Sequence, residues 1–135
     1  MRDVAYVALG SNVGDRNAHL ARARAAIAAI PGCRIVASSA IEDTAPLGPV
    51  PQGPFLNQMI AVETTLSPRD LLRALQEIET GAGRARDVRW GPRTLDLDIV
   101  SFDHQTVTDT DLRVPHPEIA NRDFWQRELA ELRKR

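Results

Sequence analysis

The stretch TLDLDIVSF, residues 94–102, decides the fold. Leu95, Leu97 and Ile99 alternate with Asp96 and Asp98, and successive side chains of a strand point to opposite faces. The alternation predicts a half-buried strand with apolar residues on one side and two carboxylates on the other. Upstream, Ser67, Pro68 and Asp70 have the form of a helix N-terminus with a capping box. Leu71, Leu75 and Ile78, with Leu72 beside them, carry that helix's apolar stripe, and Gly81 and Gly83 end it. FLNQMIAVETT (55–65) and CRIVASSAIEDT (33–44) read as two further strands. Pro46, Pro49, Pro51 and Pro54 make the segment between them an irregular loop. At the start of the chain, DVAYVALG (3–10) is short, β-branched and apolar, and predicts a buried strand. A turn using Gly10 and Gly14 follows, with Asp15 as N-cap of a helix on Leu20, Ala23, Ile27 and Ile30 that Pro31 and Gly32 stop. Beyond residue 102 the pattern is a hairpin or loop, then a polar, charged tail from Pro117 with helical spacing in WQRELAELRKR.

The order strand, helix, strand, strand, helix, strand predicts an α+β fold. This is the ferredoxin-like split β-α-β sandwich, a mainly antiparallel sheet with helices packed on one face. The other face is expected to be open to solvent or a ligand. At 135 residues, with no internal repeat, the chain reads as a single domain spanning residues 1–135. Its formal net charge of −1 gives no bulk attraction to nucleic acid or an anionic membrane surface, so neither is expected as a partner. One cysteine, Cys33, cannot form an internal disulfide and reads as a small buried apolar residue in a reducing compartment. No apolar run approaches the ~20 residues of a membrane span. A cytoplasmic monomer is the expectation.

Two carboxylates two residues apart on a strand have Cα atoms ~7 Å apart on one face. Such a pair can converge on Mg²⁺, which prefers oxygen ligands and is often completed by water and phosphates. A D-x-D in a strand is also a common polar face shown to water. Arg84, Arg86, Arg89 and Arg93 lie just upstream. Guanidinium groups suit phosphate oxygens, but a basic loop can equally pair with nearby acids for only ~0–1 kcal/mol. Together, carboxylates that hold Mg²⁺ and several arginines are what a polyphosphate needs. The segment GSNVGDR lacks the ending and spacing of a phosphate loop and reads as a turn. His116 sits between prolines in VPHP; His19 and His104 have no partner pattern. Trp90 and Phe55, in a chain with few aromatics, could stack on a planar ligand or fill a core.

RWGPRTLDLDI, with ALGSN upstream, PLGP and FLN in the middle and VPHP and NRDF downstream, resembles the 6-hydroxymethyl-7,8-dihydropterin pyrophosphokinase family of folate biosynthesis. The resemblance runs in order from Val4 to Phe124. It implies transfer of a pyrophosphoryl group from ATP, as co-substrate, to the hydroxymethyl group of the reduced pterin, with release of AMP. It also implies two Mg²⁺ ions on Asp96 and Asp98, with Arg84 and Arg93 holding phosphates during transfer. Arg86 is then expected on a loop closing over ATP, His116 and Arg122 on the triphosphate, and Gln76 and Glu79 near the nucleotide. Thr44, Leu47, Phe55, Asn57, Trp90 and Phe124 are implied as the pterin pocket. Phe55 and Phe124 would stack on the ring there, and Asn57 would bond its edge.

The chain departs from that family in three places. It has fewer residues after NRDF, so the domain reads as one with a shortened C-terminus. The arginine segment is one residue shorter than in some members, with Asp87 where a basic residue can occur. Asp111, Arg113 and Pro117 are not the residue types expected around the nucleotide. The alternative expectation is therefore a non-catalytic pterin or nucleotide binder inactivated by the shortened tail. Nucleic-acid binding through the arginines ranks last, because Asp96 and Asp98 would repel a phosphate backbone.

Overall fold

In the computed structural model, residues 2–45, 54–82 and 95–133 are described. Strand β1 (Asp3–Ser11) leads through Gly14, whose φ is +69°, to helix α1 (Arg16–Ala28). Asp15 caps α1, its side chain accepting from the Ala18 N–H at 3.1 Å. Two strands, β2 (Cys33–Ser38) and β3 (Glu42–Thr44), replace the single strand expected over 33–44. Both pair with β4 (Phe55–Thr64). The break between them is held by Ser39, whose Oγ accepts from Met59 N and whose carbonyl accepts from Gln58 Nε2.

Helix α2 (Pro68–Gly81) starts as its sequence requires, with Ser67 Oγ accepting from Asp70 N at 3.1 Å. Strand β5 (Asp96–Phe102) follows, then a small β6 (Val107–Thr108) and β7 (Arg113–Val114) hairpin. A 3-10 turn (Pro117–Asn121) leads into α3 (Asp123–Arg133). The main sheet is antiparallel in the order β2-β4-β1-β5, the split β-α-β arrangement. Among the described residues no helix is long and apolar enough to cross a membrane.

Alternation along the strands separates the two faces. Ala5, Val7, Leu9, Ile60, Val62, Leu97 and Ile99 pack with Leu20 and Ile27 of α1 and Leu71 and Leu75 of α2. Tyr6, Ala8, Met59, Ala61 and Val100 pack with Trp125, Leu129 and Leu132 of α3. The second face is therefore partly covered by the charged tail's helix instead of being wholly open. Cys33 is half-buried, not buried, with Sγ 3.2 Å from Thr64 Oγ1.

Candidate active site

The register assembles the site. Beyond the α3 contact, the second face of the sheet continues into a polar row. In it Asn57 of β4 stands opposite Gly10 of β1, and Gly10 opposite Asp96 of β5. One step along, Asp98 stands opposite Ala8. Gly10 is thus not part of a turn, as its sequence context suggested, but the floor of a notch inside β1. A Cβ there would lie 3.3 Å from Asn57 Oδ1, 3.5 Å from Phe55 Cδ1 and 4.0 Å from Asp96 Cβ. Any larger residue would fill the space these three side chains surround. Thr44 and Phe55 are half-buried at this end of the sheet, and Asn57 is buried. The Asn57 amide donates to Thr44 Oγ1 and to the Phe55 carbonyl, which fixes its plane.

Asp96 and Asp98 are half-buried on that same face, as the alternation predicts. Between them, Leu97 points into the opposite core, and its N–H donates to Glu79 Oε2 at 2.7 Å. Glu79 is only 2% exposed, so its carboxylate anchors the backbone of the Asp-Leu-Asp segment from the α2 side. Gln76, one turn earlier on α2, is exposed beside Arg73, Glu77 and Thr80. Glu79 thus reaches the sheet from the face opposite the two aspartates, while Gln76 lies on the solvent side of the same helix.

His116 is brought to Asp98 by a backbone bond: its N–H donates to the Val100 carbonyl at 2.8 Å, on the strand that carries Asp98. Its Nδ1 accepts from the Glu118 N–H at 3.0 Å, so the neutral ring carries its proton on Nε2. That Nε2 lies 4.0 Å from Asp98 Oδ1. Burial, with the Arg122 charge adding to it, lowers the His116 pKa below the usual imidazole value and favours the neutral form at pH 7. Arg122 lies with Cζ 4.5 Å from the Trp125 ring centroid, and its buried Nε has no hydrogen-bond partner. It has no carboxylate partner among the described residues. Phe124, half-buried at the start of α3, meets Trp125 edge-on at 6.3 Å.

The structure therefore brings Asn57, Gly10, Phe55, Asp96, Asp98, His116 and Arg122 to one side of the sheet. Leu47, Arg84, Arg86, Arg89, Trp90 and Arg93 lie outside the described residues. Asp111 pairs with Arg69 at 2.8 Å beside the β6–β7 hairpin. Trp125 was missed by sequence reading because it begins a charged tail. The signal for it was its place one residue after NRDF, on the apolar stripe with Leu129 and Leu132.

Two carboxylates on one face suit Mg²⁺ if water and phosphates complete its shell. Among the described residues no third acidic, imidazole or thiol group closes a cage around a metal ion. The half-buried Arg122 guanidinium, held against the Trp125 ring on the same side of the sheet, suits an anion.

Residues 6–134 match the family described as 7,8-dihydro-6-hydroxymethylpterin-pyrophosphokinase. A Bacillus subtilis protein is 42% identical over 132 residues, 98% of this chain and 79% of its own length. A Methylorubrum extorquens protein is 44% identical over 128 residues, 95% of this chain and 81% of its own. One from Pseudomonas aeruginosa is 46% identical over 127 residues, 94% of this chain and 78% of its own. All three are named 2-amino-4-hydroxy-6-hydroxymethyldihydropteridine pyrophosphokinase.

Proposed function

Because the chain belongs to the 7,8-dihydro-6-hydroxymethylpterin-pyrophosphokinase family, we propose that it transfers the pyrophosphoryl group of ATP to 6-hydroxymethyl-7,8-dihydropterin in folate biosynthesis. The hydroxymethyl oxygen attacks the β-phosphorus, the bond from that phosphorus to the oxygen bridging the α-phosphate breaks, and AMP leaves; the hydroxyl proton passes to solvent. The observation that carries this reading is the family match across residues 6–134, joined to a sheet face on which Asp98 stands 4.0 Å from His116, with Asp96 on the same face and Arg122 against the Trp125 ring.

Asp96 and Asp98 would hold two Mg²⁺ ions, which when bound neutralise triphosphate oxygens and align the in-line displacement. The residues around them act by position and charge. Arg122 supplies a cation held against the Trp125 ring and in no ion pair among the described residues. His116 offers Nε2–H as a neutral donor. Arg84 and Arg93 are assigned to the transferring phosphates, and Arg86 to the nucleotide, on their sequence positions. The pterin is assigned to the notch over Gly10, between Phe55 and Phe124. There the fixed Asn57 and Thr44 meet its edge, and Leu47 and Trp90 are assigned to the pterin on their sequence positions. No side chain is assigned as general base, since phosphoryl transfer rests mainly on positioning and charge neutralisation.

Incubating the protein with ATP, Mg²⁺ and the pterin, then separating the nucleotides, tests the reading. Pterin-dependent AMP without ADP is expected. ATP and pterin binding without AMP would overturn it.

A further inference from the structure

We propose that Trp125 is the positioning residue that presents His116 and Arg122 together to the carboxylate face, an inference resting on the reading of that face as a phosphate-transfer site. Trp125 is 2% exposed and locked among Tyr6, Ala8, Met59, Ala61 and Val100, so its ring is fixed relative to the sheet. Two groups lean on that ring. The His116 imidazole meets it at 5.0 Å with an interplanar angle of 86°, and the Arg122 guanidinium lies 4.5 Å from its centroid.

The chemistry of the anchor matters. A carboxylate could hold Arg122 equally well, but it would cancel the charge that an anion needs. An aromatic ring holds the guanidinium through its quadrupole and leaves the full positive charge available. The buried Arg122 Nε has no hydrogen-bond partner, so on that side the guanidinium is held by the ring face and not by an acceptor. The ring does the same for His116, whose Nδ1 is already satisfied by the Glu118 amide. The imidazole is oriented by packing, and Nε2 is left pointing toward Asp98. One buried side chain thus sets two donors at once.

The test uses inorganic tripolyphosphate, titrated calorimetrically into the whole chain. Trp125→Met keeps an apolar filler and removes the ring; Trp125→Phe keeps a ring. Leu129→Ala, in the same apolar cluster and away from both donors, controls for lost packing. Tripolyphosphate affinity is expected to fall by about 2- to 30-fold in Trp125→Met, the range of a cation–π contact. Trp125→Phe should recover most of it, and Leu129→Ala should lower the melting temperature without changing affinity. Trp125 emission, read in a Trp90→Phe background, should also change when tripolyphosphate saturates the protein, which requires no core variant to fold. Equal affinity in Trp125→Met and the parent chain, an equal loss in Leu129→Ala, an emission that does not respond, or a parent chain that does not bind tripolyphosphate would each overturn the proposal. Failure of the AMP assay would instead remove the pyrophosphokinase reading, while the tripolyphosphate comparison still decides the role of Trp125.

Discussion

The amide of Leu97 lies between the two site carboxylates on β5, an edge strand, and donates to the buried Glu79. Removing the acceptor leaves that buried N–H unmatched, which costs about 1–3 kcal/mol. It also frees the segment on which Asp96 and Asp98 stand. Glu79→Ala should therefore lower stability by about that amount and raise the Mg²⁺ concentration needed for turnover by about 10-fold, as loss of an outer partner of a metal ligand does. Glu79→Gln, which still offers a carbonyl oxygen, should recover most of both; thermal melts and Mg²⁺ titrations of AMP formation decide. If Glu79→Ala melts like the parent chain, Glu79 does not hold the backbone. Asp98→Ala removes one proposed metal ligand from a half-buried position and should abolish turnover while the melting temperature moves little. Activity that survives it would remove the metal role. The alternation of Asp96 and Asp98 was legible in the sequence because a strand's period is local. Glu79's part was not, since the partner of a buried carboxylate is set by how α2 lies on β5.

The helix α3 carries a charged sequence yet packs Trp125, Leu129 and Leu132 onto the sheet. It also buries Glu128, 3% exposed, with neither carboxylate oxygen hydrogen-bonded. Burial first, then the neighbouring Glu42 carboxylate of β3, pushes its pKa up to about 9; the Arg127 charge opposes this and Glu131 adds to it. A carboxyl group whose pKa is raised on folding favours the fold only while protonated. Its contribution is complete below the ordinary value of 4.5 and is lost as pH rises through about 9. Glu128→Gln should thus stabilise the protein at pH 8 by roughly 1–3 kcal/mol. The gap should close below pH 4.5, which melts across that range would show. A gap that is independent of pH would mean Glu128 is ionised in the fold. The helical spacing of this segment could be read from residues 125–135, but its docking could not. Polar residues outnumber its stripe, and only the uncovered apolar face of the sheet explains where it goes.

Across the whole molecule, β1 is the central support: it pairs with β4 on one side and β5 on the other and is buried along almost its entire length. Its amides should exchange with solvent most slowly, and those of the two-residue β6 and β7 strands much faster, in a hydrogen-exchange measurement. Equal protection in both would contradict that hierarchy. The sequence by itself determined the main strands and helices, their order and hence the split β-α-β class, though not the break at Ser39, because hydrophobic period, caps and turn residues act over a few neighbours. It also determined that Asp96 and Asp98 share a face, and it carried the family resemblance. Tertiary structure alone decided that Gly10 forms a notch with Asn57 and Asp96, that Glu79 holds Leu97, and that Trp125 gathers His116 and Arg122. Those facts depend on strand register and helix docking. Both are settled by burial shared among segments far apart in the chain, which no local pattern records.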